Sequence, residues 1–265
     1  EVVVMTKGLS GIRNIPGSAH FISPKEIQKF SYTDVSRALG SVPGINIQEE
    51  DGFGLRPNIG LRGTGVERSS KITLMEDGVL TAPAPYSEPA AYYFPTMGRM
   101  QAIEIVKGSS QIKYGPFTTG GAINLLSTQI PTRFSWKFHL LGGSYGNRIL
   151  HAWVGDEQKH LAYLVESFQY RSDGFQKLDG GGPTGFDKQD YLAKLRLQTA
   201  PGAKIPQSLS VRFSHTLEES DETYLGLTQE DFDQDPYRRY AASQKDLMST
   251  KQNHLSLMHT VSLGS

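Results

Sequence analysis

Gly142-Gly143-Ser144-Tyr145-Gly146 has the spacing of a nucleophile elbow, in which a serine on a tight strand-to-helix turn attacks an acyl group. The residues that follow, Arg148 to Val154, alternate like a strand. The required helix is missing, and Ser144 is not read as a nucleophile. Asp231-Phe232-Asp233-Gln234-Asp235 opens like a calcium loop, which needs Gly at its sixth place and Glu at its twelfth. Pro236 and Ala242 stand there instead, which leaves an acidic surface loop. Gly63-Thr64-Gly65 lacks the third glycine of a dinucleotide fingerprint. The 7 His are scattered without ligand spacing, and the absence of Cys removes thiolate sites and disulfides. No set of residues is poised for bond chemistry, so neither an enzyme nor a resident cofactor or metal is expected.

The elements that would carry these residues fall into two halves. Lys+Arg and Asp+Glu both total 27, which argues against a nucleic-acid binder held by bulk charge. With 28 Gly, 14 Pro, 12 Tyr and 12 Phe, the chain is rich in turns and favours strands over helices. No apolar run approaches the roughly 20 residues of a membrane helix, whereas a barrel spans with alternating strands and leaves no such run. Glu1 follows neither Met nor an apolar leader, so a signal peptide is expected to have been removed or left out.

The first half reads as a small α+β domain. Ser23-Pro24-Lys25-Glu26 is a capping box with Pro at the first helical position, predicting a helix to about Phe30. A second short helix fits Thr33 to Leu39, with Gly40 as its stop. Ile45/Ile47, Ile59/Leu61, Ile72/Leu74, Ile103/Ile105 and Ile123/Leu125 mark short strands, with a short helix at Ser109–Tyr114. Asp77-Gly78 is a two-residue hairpin turn. Residues 82–95, rich in proline and aromatics, read as a loop.

From Phe134 the period becomes two. Phe134, Trp136, Phe138 and Leu140 alternate with polar residues. So do Leu209, Val211 and Phe213, and then Leu255, Leu257, Val261 and Leu263. Six such segments of about 10 residues have the length of tilted membrane strands. Short links near 155–160 and 200–207 interleave with long ones at 172–189 and 217–251. Gly143–Asn147 is a short exception on the long side. A soluble β-sandwich alternates too, so periodicity leaves both architectures open.

The motifs decide between them by resemblance. Val42-Pro43-Gly44-Ile45, Ile59-Gly60-Leu61-Arg62-Gly63, Leu74-Met75-Glu76-Asp77-Gly78-Val79 and Ile103 to Gly115 followed by Thr119 to Asn124 occur in the order seen in the plug of TonB-dependent receptors. They cover most of residues 30–128. Ala84-Pro85-Tyr86 and Tyr114-Gly115-Pro116 most resemble the ferric-citrate receptor group. The resemblance implies a TonB-box-like coupling segment at 1–8, a plug domain at 9–131 and the first part of a transmembrane β-barrel at 132–265. The family's barrel has about 22 strands, with a plugged lumen. About six are present here, so a fragment or a partly represented receptor is expected.

The resemblance also implies function. The family actively imports scarce ligands across the bacterial outer membrane, with TonB and its ExbB/ExbD energising complex as periplasmic partners and outer-membrane lipid around the barrel. The cargo implied is a ferric siderophore or citrate-like chelate. Another metal chelate, cobalamin or a saccharide is the alternative within the family, and a soluble α+β enzyme a distant one outside it. Glu1-Val2-Val3-Val4-Met5-Thr6 resembles a TonB box, an extended β-branched segment suited to adding a strand to a partner's sheet edge. Its plainer role is the plug's first strand. Arg62 aligns with an arginine that contacts the anionic ligand, a role a bidentate guanidinium suits, and a structural ion pair with the barrel wall is the equal alternative. Lys107, where the family commonly has Arg, suits ion pairing between plug and barrel wall. Phe53, Tyr86 and Glu88 are expected at the outward apex. Phe53 replaces a small polar residue of the ferric-citrate pattern and Glu88 replaces Gln. A carboxylate there repels a polyanion, which points away from citrate toward a bulkier, more aromatic or less acidic chelate.

Overall fold

Strand β1 (Ser18–Ile22) runs into Ser23, whose hydroxyl accepts from the Glu26 amide while the Glu26 carboxylate accepts from the Ser23 amide at 2.7 Å. This capping box starts helix α1 (Pro24–Phe30), and the left-handed Ser31 (φ 49°) ends it. Helix α2 (Val35–Leu39) begins two residues later than Thr33, because the Asp34 carboxylate accepts the Ser36 amide at 2.7 Å and makes Asp34 the cap. The computed structural model describes Ile15 and residues 17–81, 91–115, 119–200, 202–223 and 225–263. The chain divides into two units, Glu1–Gln129 and Ile130–Ser265.

In the first unit, β2 (Ile45–Gln48) pairs antiparallel with β3 (Asn58–Leu61), with Ile45 opposite Leu61 and Gln48 opposite Asn58. Strands β4 (Ile72–Glu76) and β5 (Val79–Leu80) close the hairpin over Asp77 (φ 51°) and Gly78 (φ 81°), the two left-handed residues a type I′ turn needs. Strands β6 (Met100–Lys107) and β7 (Gly121–Ser127) complete a five-stranded sheet in the order β1-β6-β7-β4-β5. A 3-10 helix at Ser109–Tyr114 links these last two strands.

The short alternations expected of these strands describe only one of their faces, since β3, β4 and β7 are buried at every position. On one face Ile72, Leu74, Ile103, Ile105, Ile123 and Leu125 form the core with Ile27, Val35 and Leu39 of the helices. Each such side chain contributes about 1.5–3 kcal/mol by leaving water. The other face carries Met75, Val106 and Ala122. Two buried polar pairs sit within this unit: Arg99 grips Glu76 bidentately at 2.6 and 3.1 Å, and Asn124 donates to Glu104 at 2.9 Å.

The second unit is one antiparallel sheet. Its strands are β8 (Ser135–Gly142), β9 (Arg148–Glu157), β10 (Leu161–Ser172), β12 (Phe186–Gln198), β13 (Gln207–Asp221) and β15 (Leu247–Val261), each hydrogen-bonded to the next. Between β10 and β12 lies the two-residue β11 (Lys177–Leu178). Helix α3 (Gln229–Gln234) and β14 (Arg238–Arg239) lie between β13 and β15, and β14 pairs parallel with β11. Connections of 158–160 and 199–206 on one rim alternate with 173–185 and 222–246 on the other, where 143–147 is the short exception. One face exposes Trp136, Phe138, Leu255 and Leu257, while Lys188, Asp190 and Lys194 on the opposite face are buried. At 15 residues, β13 and β15 outrun the expected ten or so, reaching about 50 Å at roughly 3.4 Å per residue. No helix among the described residues is long and apolar enough to cross a membrane.

Candidate functional site

The connection between β2 and β3 is built around Asp51. Its carboxylate accepts four successive backbone amides, from Phe53 and Gly54 at 2.6 Å, Leu55 at 3.3 Å and Arg56 at 3.0 Å. Such a nest converts a loop into a fixed platform, because charge-assisted bonds to backbone donors are about twice as strong as neutral ones. Gly54 (φ 75°) passes the Asp34 carboxylate so closely that a Cβ would lie 2.2 Å from its oxygen. The platform therefore rests on the cap of α2. Phe53, half-buried, sits on this platform.

Beside it, Glu50 receives both terminal nitrogens of Arg68 at 2.7 and 2.6 Å and the Asn58 amide at 2.9 Å. The Arg68 guanidinium lies 5.5 Å from the centre of the Tyr92 ring, a cation–π distance. Arg68 and Ser69 both hold left-handed backbones (φ 46° and 53°), a strained pair that surrounding bonds must enforce. Ser69 is held by donating to the Pro57 carbonyl at 2.8 Å, and the Arg68 carbonyl accepts the Ala91 amide at 2.7 Å. Glu50, Asp51, Asn58, Arg68 and Tyr92 were not among the expected site residues. The signal for them was the Glu49-Glu50-Asp51-Gly52 run, an acidic turn.

The expected site residues separate. Tyr86 and Glu88 lie outside the described residues, as do Glu1-Val2-Val3-Val4-Met5-Thr6. Arg62 is exposed and follows β3 at its far end, where its amide donates to the Gly44 carbonyl at 2.9 Å. Four residue steps, about 13 Å, lie between it and Asn58 at the base of the Phe53 loop. The structure does not bring these two residues together. Arg62 is instead near Lys107, whose ammonium donates to the Pro43 carbonyl at 2.6 Å. Burial, and then the charge of Arg62, hold the Lys107 pKa below the usual lysine range. Among the described residues Lys107 makes no ion pair.

In the second unit the long connections are tied to each other. Arg238 binds Asp179 through two nitrogens at 3.0–3.1 Å and Asp231 at 2.6 Å, and stacks over Tyr240. Lys177 reaches Asp235 at 3.1 Å. Hydrogen bonds from Tyr240 above all, and then the charge of Arg238, hold Asp231 below the usual carboxylate range. Asp231 and Asp235 of the calcium-like run thus already have side-chain cations as partners, and Asp233 accepts from the Gln229 amide at 2.8 Å. Tyr145, Phe175 and Tyr237, from three successive connections on this rim, meet edge to face at 6.3 and 6.2 Å. Ser144 lies in the turn between β8 and β9, a strand-turn-strand setting rather than an elbow.

Residues 11–122 match the TonB-dependent receptor plug domain family. The chain is 29% identical over 153 residues to the iron-regulated outer membrane virulence protein of Vibrio cholerae serotype O1, covering 56% of this chain and 22% of that protein. Its fold is similar to the unliganded ferric citrate transporter FecA (TM-score 0.78, 20% identity, 96% of this chain and 38% of that one). It is also similar to the ferric yersiniabactin uptake receptor FyuA of Yersinia pestis (TM-score 0.61, 21% identity, 77% and 32%). The chain spans about a fifth of the length of the curated relatives it matches.

Proposed function

We propose that this chain is part of a TonB-dependent receptor of the bacterial outer membrane and serves the active import of a ferric chelate, since residues 11–122 match the plug family and the fold is similar to that of FecA. One observation carries the reading: a plug fold is followed in the same chain by six antiparallel strands that expose apolar side chains on one face. A passive channel needs no plug, and a soluble domain rarely exposes rows of Trp, Phe and Leu. Receptors of this family move a ligand without breaking its bonds, so the protein is not an enzyme.

In this reading the plug gates the barrel. The Asp51-braced platform presents Phe53 to the arriving chelate, and Tyr86 and Glu88 are taken as further ligand contacts from the resemblance of their sequence alone. Arg68 is already committed to Glu50, and Arg62 stands at the other end of its hairpin. A platform of this kind favours an aromatic, weakly charged chelate over citrate, because a polycarboxylate needs unspent guanidinium groups. Glu1–Thr6 would add a strand to a sheet edge of TonB, with ExbB/ExbD supplying the energy.

The test is uptake of radioactive iron offered on a panel of siderophores and on citrate. Cells with and without the full-length gene are compared, before and after collapse of the proton-motive force. Uptake of one chelate that needs both gene and proton-motive force is the expected result and names the substrate. Absence of gene-dependent iron uptake from every chelate would sink the ferric assignment and move the search to other metals, cobalamin and saccharides.

A further inference from the structure

On the barrel reading just given, we infer that the apolar face of β8–β12 binds a phosphorylated glycolipid of the outer leaflet, its phosphate between Arg148 and Arg171 and an acyl chain in the groove below. These two arginines are directly opposite in the β9–β10 register, so their side chains leave the same face, and both are exposed. Like charges directly opposite across strands destabilise a sheet unless an anion lies between them. Neither guanidinium has an ion pair among the described residues. Asp187 faces Arg171 from β12, but it accepts instead from the Gln189 amide at 3.1 Å. On the other side Arg148 faces Gly142 of β8, where no side chain closes the space.

The two strands below this pair describe what else would bind. One step down are Leu150 and Gln169, and the next step holds Ala152 and Ser167. With Ala193 these small residues leave a groove of about 760 Å³ walled by Trp136 and Phe138 on one side and Tyr191 on the other. Ala152 and Arg148 are four residues apart on one strand, about 13 Å, so the cationic pair lies at the upper end of the apolar groove. Both arginines border the connections at 143–147 and 173–185, the rim that carries the long loops and faces outward in bacterial barrels. The lipid there belongs to the outer leaflet, where phosphorylated glycolipid is the principal component. Two planar guanidinium groups match a phosphate monoester by paired hydrogen bonds. Asp187 and Glu219 continue the row on β12 and β13 and repel phosphate, which confines the anion to the β9–β10 side.

The experiment measures lipid retained by the full-length receptor, purified in detergent, after incubation with lipid A or with lipid A stripped of its phosphates. Native mass spectrometry counts the bound lipid. The phosphorylated form is expected to be retained at least about tenfold better, roughly 1.4 kcal/mol. R148Q/R171Q should lower its retention to the dephosphorylated level, with heat-modifiable gel mobility showing that the variant is folded. Equal retention of both lipids by the natural sequence overturns the inference, as does full retention by the folded double variant. If the double variant does not fold, the two-lipid comparison on the natural sequence decides alone. A receptor that fractionates away from the outer membrane would remove the barrel reading itself, a result separate from loss of lipid selectivity.

Discussion

Asp34 performs two tasks with one carboxylate: it caps α2 and supports the turn at Gly54. Burial raises its pKa above 3.8, with Glu49 and Asp51 acting in the same direction and the Ser36 hydrogen bonds opposing them. The folded chain therefore keeps this proton to higher pH than the unfolded chain does. Stability falls as pH rises from 3.8 to the raised folded value, and the deficit persists above it. Asp34→Asn keeps an oxygen for the Ser36 amide and removes the charge. It should raise the urea midpoint at neutral pH, with the gain vanishing below pH 3.8. Asp34→Ala loses the cap and should cost about 1 kcal/mol at neutral pH. A lower midpoint for Asp34→Asn at neutral pH would show that the charge stabilises. The apex permits a second comparison, measured by equilibrium binding of the transported chelate to intact cells. Phe53→Ala should weaken binding about tenfold, or roughly 1.4 kcal/mol, while Arg62→Ala stays within about twofold. The reverse order would return the anion-binding role to Arg62.

What could be read in advance at the scale of elements was whatever a short window determines. The Ser23 capping box, the Asp77-Gly78 turn and the alternation after Phe134 each act within a few residues, and each appears where expected. The apical pair Glu50–Arg68 could not be read that way. Its members are 18 residues apart and meet only after β2 and β3 close. Burial of the plug strands on both faces was hidden for a related reason. Glu104 and Asn124 look solvent-facing in sequence, yet each satisfies the other inside. Strand length escaped too, since the hydrogen-bond ladder of β13 and β15 continues where the apolar face gives way to His215, Asn253, Lys251 and Glu219. That alternation yields a directional prediction. Val165 is 55% exposed in the apolar row, so Val165→Arg should cost about 2–4 kcal/mol in a bilayer. In detergent-free refolding into lipid vesicles, the variant should lose heat-modifiable mobility or unfold at lower urea. An unchanged midpoint would mean that this face does not meet hydrocarbon.

For the whole molecule, the central question is whether ligand capture and energy use are separable. The described residues place the Asp51-braced platform at one end of the β2–β3 hairpin and Arg62, Lys107 and Gly108 at the other. Gly17, just ahead of β1, packs on Lys107 and Gly108 so tightly that a Cβ would lie 2.8 Å from the Lys107 carbonyl. The segment leading to β1 thus enters the plug far from the platform. Deletion of Glu1–Thr6 should leave binding of the ferric chelate within about twofold on ice. Accumulation at growth temperature should fall to that of cells whose proton-motive force has been collapsed. Binding without accumulation requires a coupling segment that acts only after capture, as a strand offered to an external sheet edge would. Loss of binding as well would make Glu1–Thr6 part of the plug's own fold, the first strand that its β-branched residues equally suit.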